Sequence, residues 1–157
     1  MSDLSPLERE RDVLVLAISD MRQVSNACFF LQNAEMERHA RDVLWTGLVV
    51  TYARPFLQSN TRGFIGGRLA KPREELSPLH KNLLMLRDKL AAHTDDNELR
   101  SVWVVEEDKT GSLRYAESWK PYDDDALPDI AFLADTQGHR FRERLDEIGD
   151  ELKLLDG

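Results

Sequence analysis

The sequence predicts an all-α protein: one domain over residues 1–157, in which four main helices form a bundle and a β-hairpin is inserted before the C-terminal helix. Apolar residues recur at helical spacing in four segments, and a Ser-Pro helix-start signal stands before two of them. A single segment rich in β-branched and aromatic residues precedes the last helix. The composition, 41% hydrophobic and 32% charged, is that of an ordinary globular domain.

The first helix begins with Ser5 as N-cap, Pro6 at the first helical position and Glu8 three residues after the cap. Its expected apolar face consists of residues spaced by three, four and seven, namely Leu7, Leu14, Ile18, Met21 and Val24. The second helix is predicted from about Ala34 to Pro55, and the apolar stretch from Val43 to Ala53 is expected to be the most buried part of the bundle.

A long loop, "QSNTRGFIGGRLAKPREEL", follows the second helix, since it holds three glycines and a proline without a clear period. Ser77 and Pro78 open the third helix, which is expected to end near Thr94. In "SVWVVEEDKTGSLRYAESW", the turn residues Asp108 to Gly111 predict the hairpin. The last helix is predicted from about Pro128 to Leu155, with an apolar face of Ile130, Leu133, Phe141, Leu145, Ile148 and Leu152 and a possible interruption at Gly138.

Charge is distributed unevenly. Residues 54–93 carry 8 basic and 3 acidic side chains, whereas residues 94–157 carry 8 basic and 18 acidic ones. A protein with a net charge of −8 is expected to bind nucleic acid weakly and with a steep salt dependence.

The single Cys28 is expected to be a buried apolar residue in a reducing compartment. With no basic start followed by an apolar run, and only a short apolar stretch at Val43 to Ala53, we expect a cytoplasmic protein that does not engage a membrane.

The end of the third helix, "LLMLRDKLAAHTDD", carries Arg87 and His93. On a helical wheel these two residues flank a stripe formed by Leu79, Leu83, Leu86 and Leu90, about 120° apart. They are therefore not expected to meet within one chain, but two copies joined along the stripe would place each arginine near the other copy's histidine. An arginine fork that binds phosphate and a histidine that moves protons suit metal-independent RNA cleavage, in which a ribose 2′-hydroxyl attacks the adjacent phosphate.

The motif "RDKLAAH" resembles the signature of the HEPN superfamily, the higher eukaryotes and prokaryotes nucleotide-binding domains: an arginine, a polar residue and a histidine near the end of a helix. The matching positions are Arg87, Asp88 and His93. The resemblance implies a small dimeric helical bundle whose composite site contains the arginine and histidine of both protomers. It further implies an endoribonuclease of toxin-antitoxin or abortive-infection type that needs no cofactor or metal and acts on RNA, with a cognate antitoxin protein as a candidate partner.

Two alternatives remain open at this point. Members of the superfamily also include noncatalytic dimeric modules that bind a partner protein, such as a nucleotidyltransferase antitoxin. In the structural alternative, Arg87 extends from a core helix into solvent and His93 interacts with the carbonyl groups that end the helix. Asp88 is as well explained by a solvated surface position as by a role in the site. The acidic residues Asp95 and Asp96 would repel a phosphate or orient the imidazole.

A basic rim for RNA is predicted around the loop. Its expected members are Tyr52, Arg54, Arg62, Arg68, Lys71, Arg73 and His80. The cations would bind phosphates, and Tyr52 or Phe64 would stack on a base. His80 lies one heptad before Arg87, on the same side of the third helix. A solvated basic loop without function explains the loop cations equally well.

Overall fold

The computed structural model describes residues 5–58, 63–91, 100–107, 113–119 and 124–155. The chain is predominantly helical, as the sequence predicts. Its helices are α1 (Pro6–Asn33), α2 (Arg38–Ala53), the short α3 (Gly67–Ala70), α4 (Ser77–Ala91) and α5 (Leu127–Leu155), and short 3-10 turns cover Arg54–Phe56, Glu74–Leu76 and Asp124–Ala126. The predicted third helix is therefore α4, and the predicted last helix is α5.

The predicted start of α1 is confirmed. The Ser5 hydroxyl accepts a hydrogen bond from the Glu8 backbone N–H, and the Glu8 carboxylate accepts one from the Ser5 N–H, which forms a capping box. Leu14, Met21 and Val24 are buried on the predicted apolar face. The long helices α1 and α5 pack along each other and form the main body of the core.

Helix α5 runs without a break through Gly138, so the possible interruption at this residue does not occur. A Cβ at position 138 would lie 3.3 Å from Met21 Cβ, which is closer than nearly all real Cβ contacts. The glycine therefore serves the close approach of α1 and α5 rather than ending the helix. Four residues of the predicted apolar face of α5 are buried, namely Ile130, Leu133, Phe141 and Ile148.

Helix α2 begins at Arg38, four residues later than predicted, and is followed by a 3-10 turn that contains Pro55. Its C-terminal half is buried as expected, with Trp45, Leu48 and Tyr52 almost inaccessible to solvent. Val43, however, is 59% exposed, so the burial of α2 begins later than the sequence indicates. The burial follows one face of α2 because α1 and α4 both pack against it.

The segment predicted as a structureless loop contains the helical turn α3 and a 3-10 turn. Gly63 has φ of 74°, and a Cβ there would lie 2.7 Å from Val13 Cγ2, so both backbone angle and space favour glycine. The Ile65 N–H donates to the Pro55 carbonyl at 2.6 Å, and the Ile65 side chain is buried. The described part of the loop is thus attached to the bundle.

The leucine stripe of α4 is part of the core of a single chain. Leu83 and Leu86 are buried, while Leu79 and Leu90 are partly buried and pack against the same core. The stripe therefore offers little uncovered apolar surface to a second copy. The apolar side chains are already covered by α2 and the rest of the bundle.

Strands β1 (Arg100–Glu107) and β2 (Leu113–Trp119) pair antiparallel, with Trp103 opposite Ala116 and an irregularity between Val104 and Glu106. The predicted turn from Asp108 to Gly111 lies outside the described residues, so the hairpin that it would close remains a prediction.

Helix α1 is long and apolar enough to cross a membrane by length and composition, with a mean hydropathy of 1.2 over its most apolar window. One face of α1 packs on α5 and α2. The core helix of a soluble protein can have the same length and hydropathy as a membrane-spanning helix. The helix therefore says little about where the protein resides.

Candidate functional site

Arg87 lies on the accessible edge of α4. Its Nη1 donates to Asp88 Oδ1 at 3.0 Å, and its side chain is 36% exposed beside the buried Leu83 and Leu86. A partly exposed guanidinium can exchange a carboxylate for a phosphate, because both match the same fork of donors. The structure brings Asp88 to Arg87; His93 lies outside the described residues.

A second group of polar side chains lies toward the N-terminal end of α4. The Tyr52 hydroxyl on α2 and His80 Nδ1 on α4 are 2.7 Å apart. The ring of Phe56 meets the His80 ring edge to face, with centroids 4.8 Å apart and planes at 89°. Tyr52 is fully buried and His80 is partly buried, so the imidazole is held on one side by an aromatic wall.

Burial sets the protonation state of this pair. Desolvation raises the pKa of Tyr52 well above its ordinary value, so the phenol keeps its hydrogen. Desolvation, aided by the charge of Lys81, lowers the pKa of His80, so the imidazole is neutral near neutral pH. A buried phenol needs an acceptor for its hydrogen, and Nδ1 of a neutral imidazole provides one. With Nδ1 as acceptor, the imidazole proton resides on Nε2.

His80 also lines an open pocket of about 590 Å³ between the α3 turn and the first half of α4. Two lysines and one glutamate contribute to this pocket, which we call the α3–α4 pocket. Its lining consists of Gly67, Ala70, Lys71, Pro72, Glu74, Ser77, His80, Lys81 and Leu84. The volume is in the range of small-molecule sites.

Helix α5 holds the α3 side of the α3–α4 pocket through hydrogen bonds to backbone carbonyl groups. Arg140 Nη2 donates to the Arg68 carbonyl at 2.8 Å, and Arg140 Nη1 donates to the Lys71 carbonyl. Gln137, which is fully buried, donates to the Ala70 carbonyl at 3.3 Å. These bonds satisfy the carbonyl groups that end α3 and hold Lys71 in place. Sequence analysis missed Arg140 and Gln137, because no local pattern indicates a contact about 70 residues away.

The predicted basic rim is only partly assembled. Lys71 and His80 line one pocket, whereas Arg54 extends toward Asp20 on α1, with Nη1 3.8 Å from Oδ1. Arg68 and Arg73 are exposed, and Arg62 lies outside the described residues.

The prediction that Tyr52 stacks on a base is wrong, because its ring is fully buried and its hydroxyl contacts His80. Phe64 is 50% exposed and lines a different open pocket of about 420 Å³, together with Arg9 and Glu10 of α1. Phe64 is therefore the side chain of the predicted pair that remains accessible, and it does not line the α3–α4 pocket.

Cys28 is buried, as predicted, and burial raises the pKa of its thiol to about 12. Among the residues that the structure describes, no group of three histidine, cysteine or carboxylate side chains could hold a metal ion. Comparison with protein families, with characterised proteins and with solved structures gives no match.

Proposed function

We propose that the chain is a HEPN-like endoribonuclease of toxin-antitoxin or abortive-infection type, which cuts RNA without a metal. The observation that carries this proposal is the setting of Arg87: an accessible guanidinium, held by Asp88 at 3.0 Å, on a helix whose leucines are anchored in a helical bundle. An arginine so placed is fixed in direction yet open to a phosphate.

In the proposed reaction, the imidazole of His93 removes the proton of a ribose 2′-hydroxyl. The 2′-oxygen forms a bond to the adjacent phosphorus, and the bond from phosphorus to the 5′-oxygen breaks. A second acid, for which the partner subunit's His93 is the candidate, protonates the leaving 5′-oxygen. Arg87 stabilises the extra negative charge on the phosphate oxygens, and Asp88 keeps the guanidinium aligned between turnovers.

The proposal includes a cytoplasmic homodimer with a composite site, and a β-hairpin inserted before α5 as a departure from the simplest bundle. Since Leu83 and Leu86 of the leucine stripe are buried within one chain, the proposed dimer uses another face. A sedimentation mass of twice 18.1 kDa supports the dimer, and a mass of 18.1 kDa at working concentration contradicts it.

The test is cleavage of a mixed-sequence RNA in excess chelator by the parent protein and by Arg87→Ala and His93→Ala. Because both side chains act in the chemical step, each variant is expected to lose at least about 100-fold in rate. Arg22→Ala, which removes an exposed arginine of α1, is the matched control and is expected to cut like the parent. Equal cutting by all four proteins, or none by the parent, contradicts the proposal.

A noncatalytic module that binds a partner protein is the second candidate, and exposed aromatic side chains favour it. Phe29 and Phe30 at the end of α1 are 62% and 53% exposed, and Phe132 of α5 is 52% exposed. Ser25 of α1 bonds Asp135 of α5 at 2.6 Å, and Phe29 and Phe132 each lie one turn from that contact. Apolar rings near each other on a surface are typical of protein contacts. Partner binding that survives Arg87→Ala but is lost in Phe29→Ser, with no RNA cleavage by the parent, favours this candidate.

A further inference from the structure

We infer that the α3–α4 pocket binds a phosphate group of single-stranded RNA, as a docking site next to the Arg87 site. The identity of the ligand as RNA rests on the proposed function, whereas the phosphate chemistry follows from the pocket itself.

The charge of the pocket favours an anion. Lys71 and Lys81 bring two ammonium groups and Glu74 one carboxylate, so the ionised lining is net positive in a protein whose net charge is −8. Ser77 adds a hydroxyl that can donate to a phosphate oxygen. Lysine is a common phosphate ligand because its ammonium acts as a point charge with three donors.

His80 supplies a directed donor. Its Nδ1 is engaged by the Tyr52 hydroxyl, which leaves the proton of the neutral ring on Nε2. Among the described residues, the imidazole of His80 makes no hydrogen bond other than the one to Tyr52. A neutral N–H donor beside two cations suits a phosphodiester, which offers oxygen acceptors and carries one negative charge. The hydrogen bond to Tyr52 and the Phe56 ring keep the imidazole from turning away.

The pocket and Arg87 occupy one face of α4. His80, Leu84 and Arg87 follow each other at spacings of four and three, and Leu84 is itself part of the pocket lining. Arg87 follows His80 by seven residues, so the two residues lie about 10 Å apart along the helix axis. An RNA strand with one phosphate in the pocket would therefore run along α4 toward Arg87.

The test uses a fully 2′-O-methylated RNA oligonucleotide, which cannot be cut by 2′-hydroxyl attack. Its affinity is measured by fluorescence anisotropy at several salt concentrations for the parent and for the double variant Lys71→Gln/Lys81→Gln. Both lysines are exposed, so the fold is expected to persist. The matched control, Arg22→Gln/Lys153→Gln, removes two exposed cations elsewhere, on α1 and near the end of α5.

We expect the pocket variant to bind about tenfold more weakly, and its plot of log affinity against log salt to be less steep by about 0.7, since the pocket holds one phosphate and each phosphate contact contributes about 0.7 on a single strand. The control is expected to match the parent. Equal losses in both double variants, no loss in the pocket variant, or no binding by the parent overturns the inference.

Cleavage of unmodified RNA separates this inference from the proposed function. Analogue binding that depends on the two lysines, in a protein that cuts no RNA, supports the pocket and contradicts the enzyme. Cleavage that requires Arg87, in a protein whose lysine variant binds and cuts like the parent, supports the enzyme and overturns the pocket.

Discussion

At the scale of single residues, the contact of Tyr52 with His80 joins a buried phenol to an imidazole through one hydrogen bond of 2.7 Å. Each polar group satisfies the other, so neither is left without a partner in the low-dielectric interior. The charged form of His80 has no such compensation, because a second proton would occupy the acceptor nitrogen and Lys81 lies close by. The pair therefore stabilises the fold only while the imidazole is neutral.

This state predicts a pH dependence of stability. The pKa of His80 is below its ordinary value of 6.5 in the folded chain, so the unfolded chain binds the proton first as the pH falls. The stability that comes from the neutral imidazole is fully present above about pH 6.5 and is lost as the pH falls through the folded pKa.

The measurement is the free energy of unfolding in urea between pH 7.5 and pH 5, for the parent and for His80→Asn. The amide of the asparagine replaces the contact at Nδ1 but does not titrate, so the part of the acid loss due to His80 is expected to disappear. Tyr52→Phe, in contrast, keeps the buried histidine and is expected to lower stability by about 1 kcal/mol while retaining the acid loss. Identical pH profiles for the parent and His80→Asn would contradict the assigned protonation state.

Sequence reasoning found the chemistry-bearing residues of α4 but not their neighbours. Helical spacing was enough to put His80 and Arg87 on one side of α4, and composition was enough to identify a basic loop. Whether Tyr52 faces solvent or His80 depends on how α2 is rotated against α4, which no local pattern specifies. The carbonyl contacts of Arg140 depend in the same way on where the α3 turn meets α5.

At the scale of elements, α1 and α5 are joined by both charge and close packing. Arg144 of α5 donates to both carboxylate oxygens of Glu10 on α1, at 2.9 and 3.2 Å, and also binds Glu151 and Glu147. These bonds raise the pKa of Arg144 above its ordinary value. Near the middle of α5, Gly138 lets the backbone of this helix approach Met21.

Two glycines of α5 give a matched test of that approach. Gly138→Val introduces a β-branched side chain where a Cβ alone would be 3.3 Å from Met21, and is expected to lower the free energy of unfolding by about 1–3 kcal/mol. Gly149→Ala changes the same helix where nothing lies within 4 Å, and is expected to raise stability by about 0.5–1 kcal/mol through helix propensity. Urea unfolding measures both. Changes in the free energy of unfolding of the same sign and size in both variants would show that α1 and α5 are not closely packed at Gly138.

The helices themselves were largely predictable, because their signals are local. The capping box at Ser5 and Glu8 and the apolar face of α5 need only sequence neighbours. The start of α2 was misplaced because its N-cap position holds Glu37, which makes no side-chain cap bond. The loop before α4 gained a helical turn because α5 provides the donors for its end, and sequence neighbours could not reveal that.

At the scale of the whole molecule, the bundle leaves one face of α4 accessible and covers the other. Leu83 and Leu86 of the leucine stripe are buried within the chain, so the stripe that the sequence marks as apolar belongs largely to the core of one chain. Binary patterning shows that a surface is buried but not whether the same chain or a second copy covers it. The accessible face carries the α3–α4 pocket and Arg87, and this is where we propose that RNA is cut.

The most direct measurement is the chemistry of the RNA ends. An RNA oligonucleotide of defined sequence is incubated with the protein in excess chelator, and the masses of the products are measured by mass spectrometry. Attack by the 2′-hydroxyl predicts one fragment with a 2′,3′-cyclic phosphate and one with a free 5′-hydroxyl, no cutting of a DNA oligonucleotide of the same sequence, and loss of these fragments with Arg87→Ala. Intact RNA, fragments with 5′-phosphate ends, or unchanged cutting by Arg87→Ala would contradict the claim.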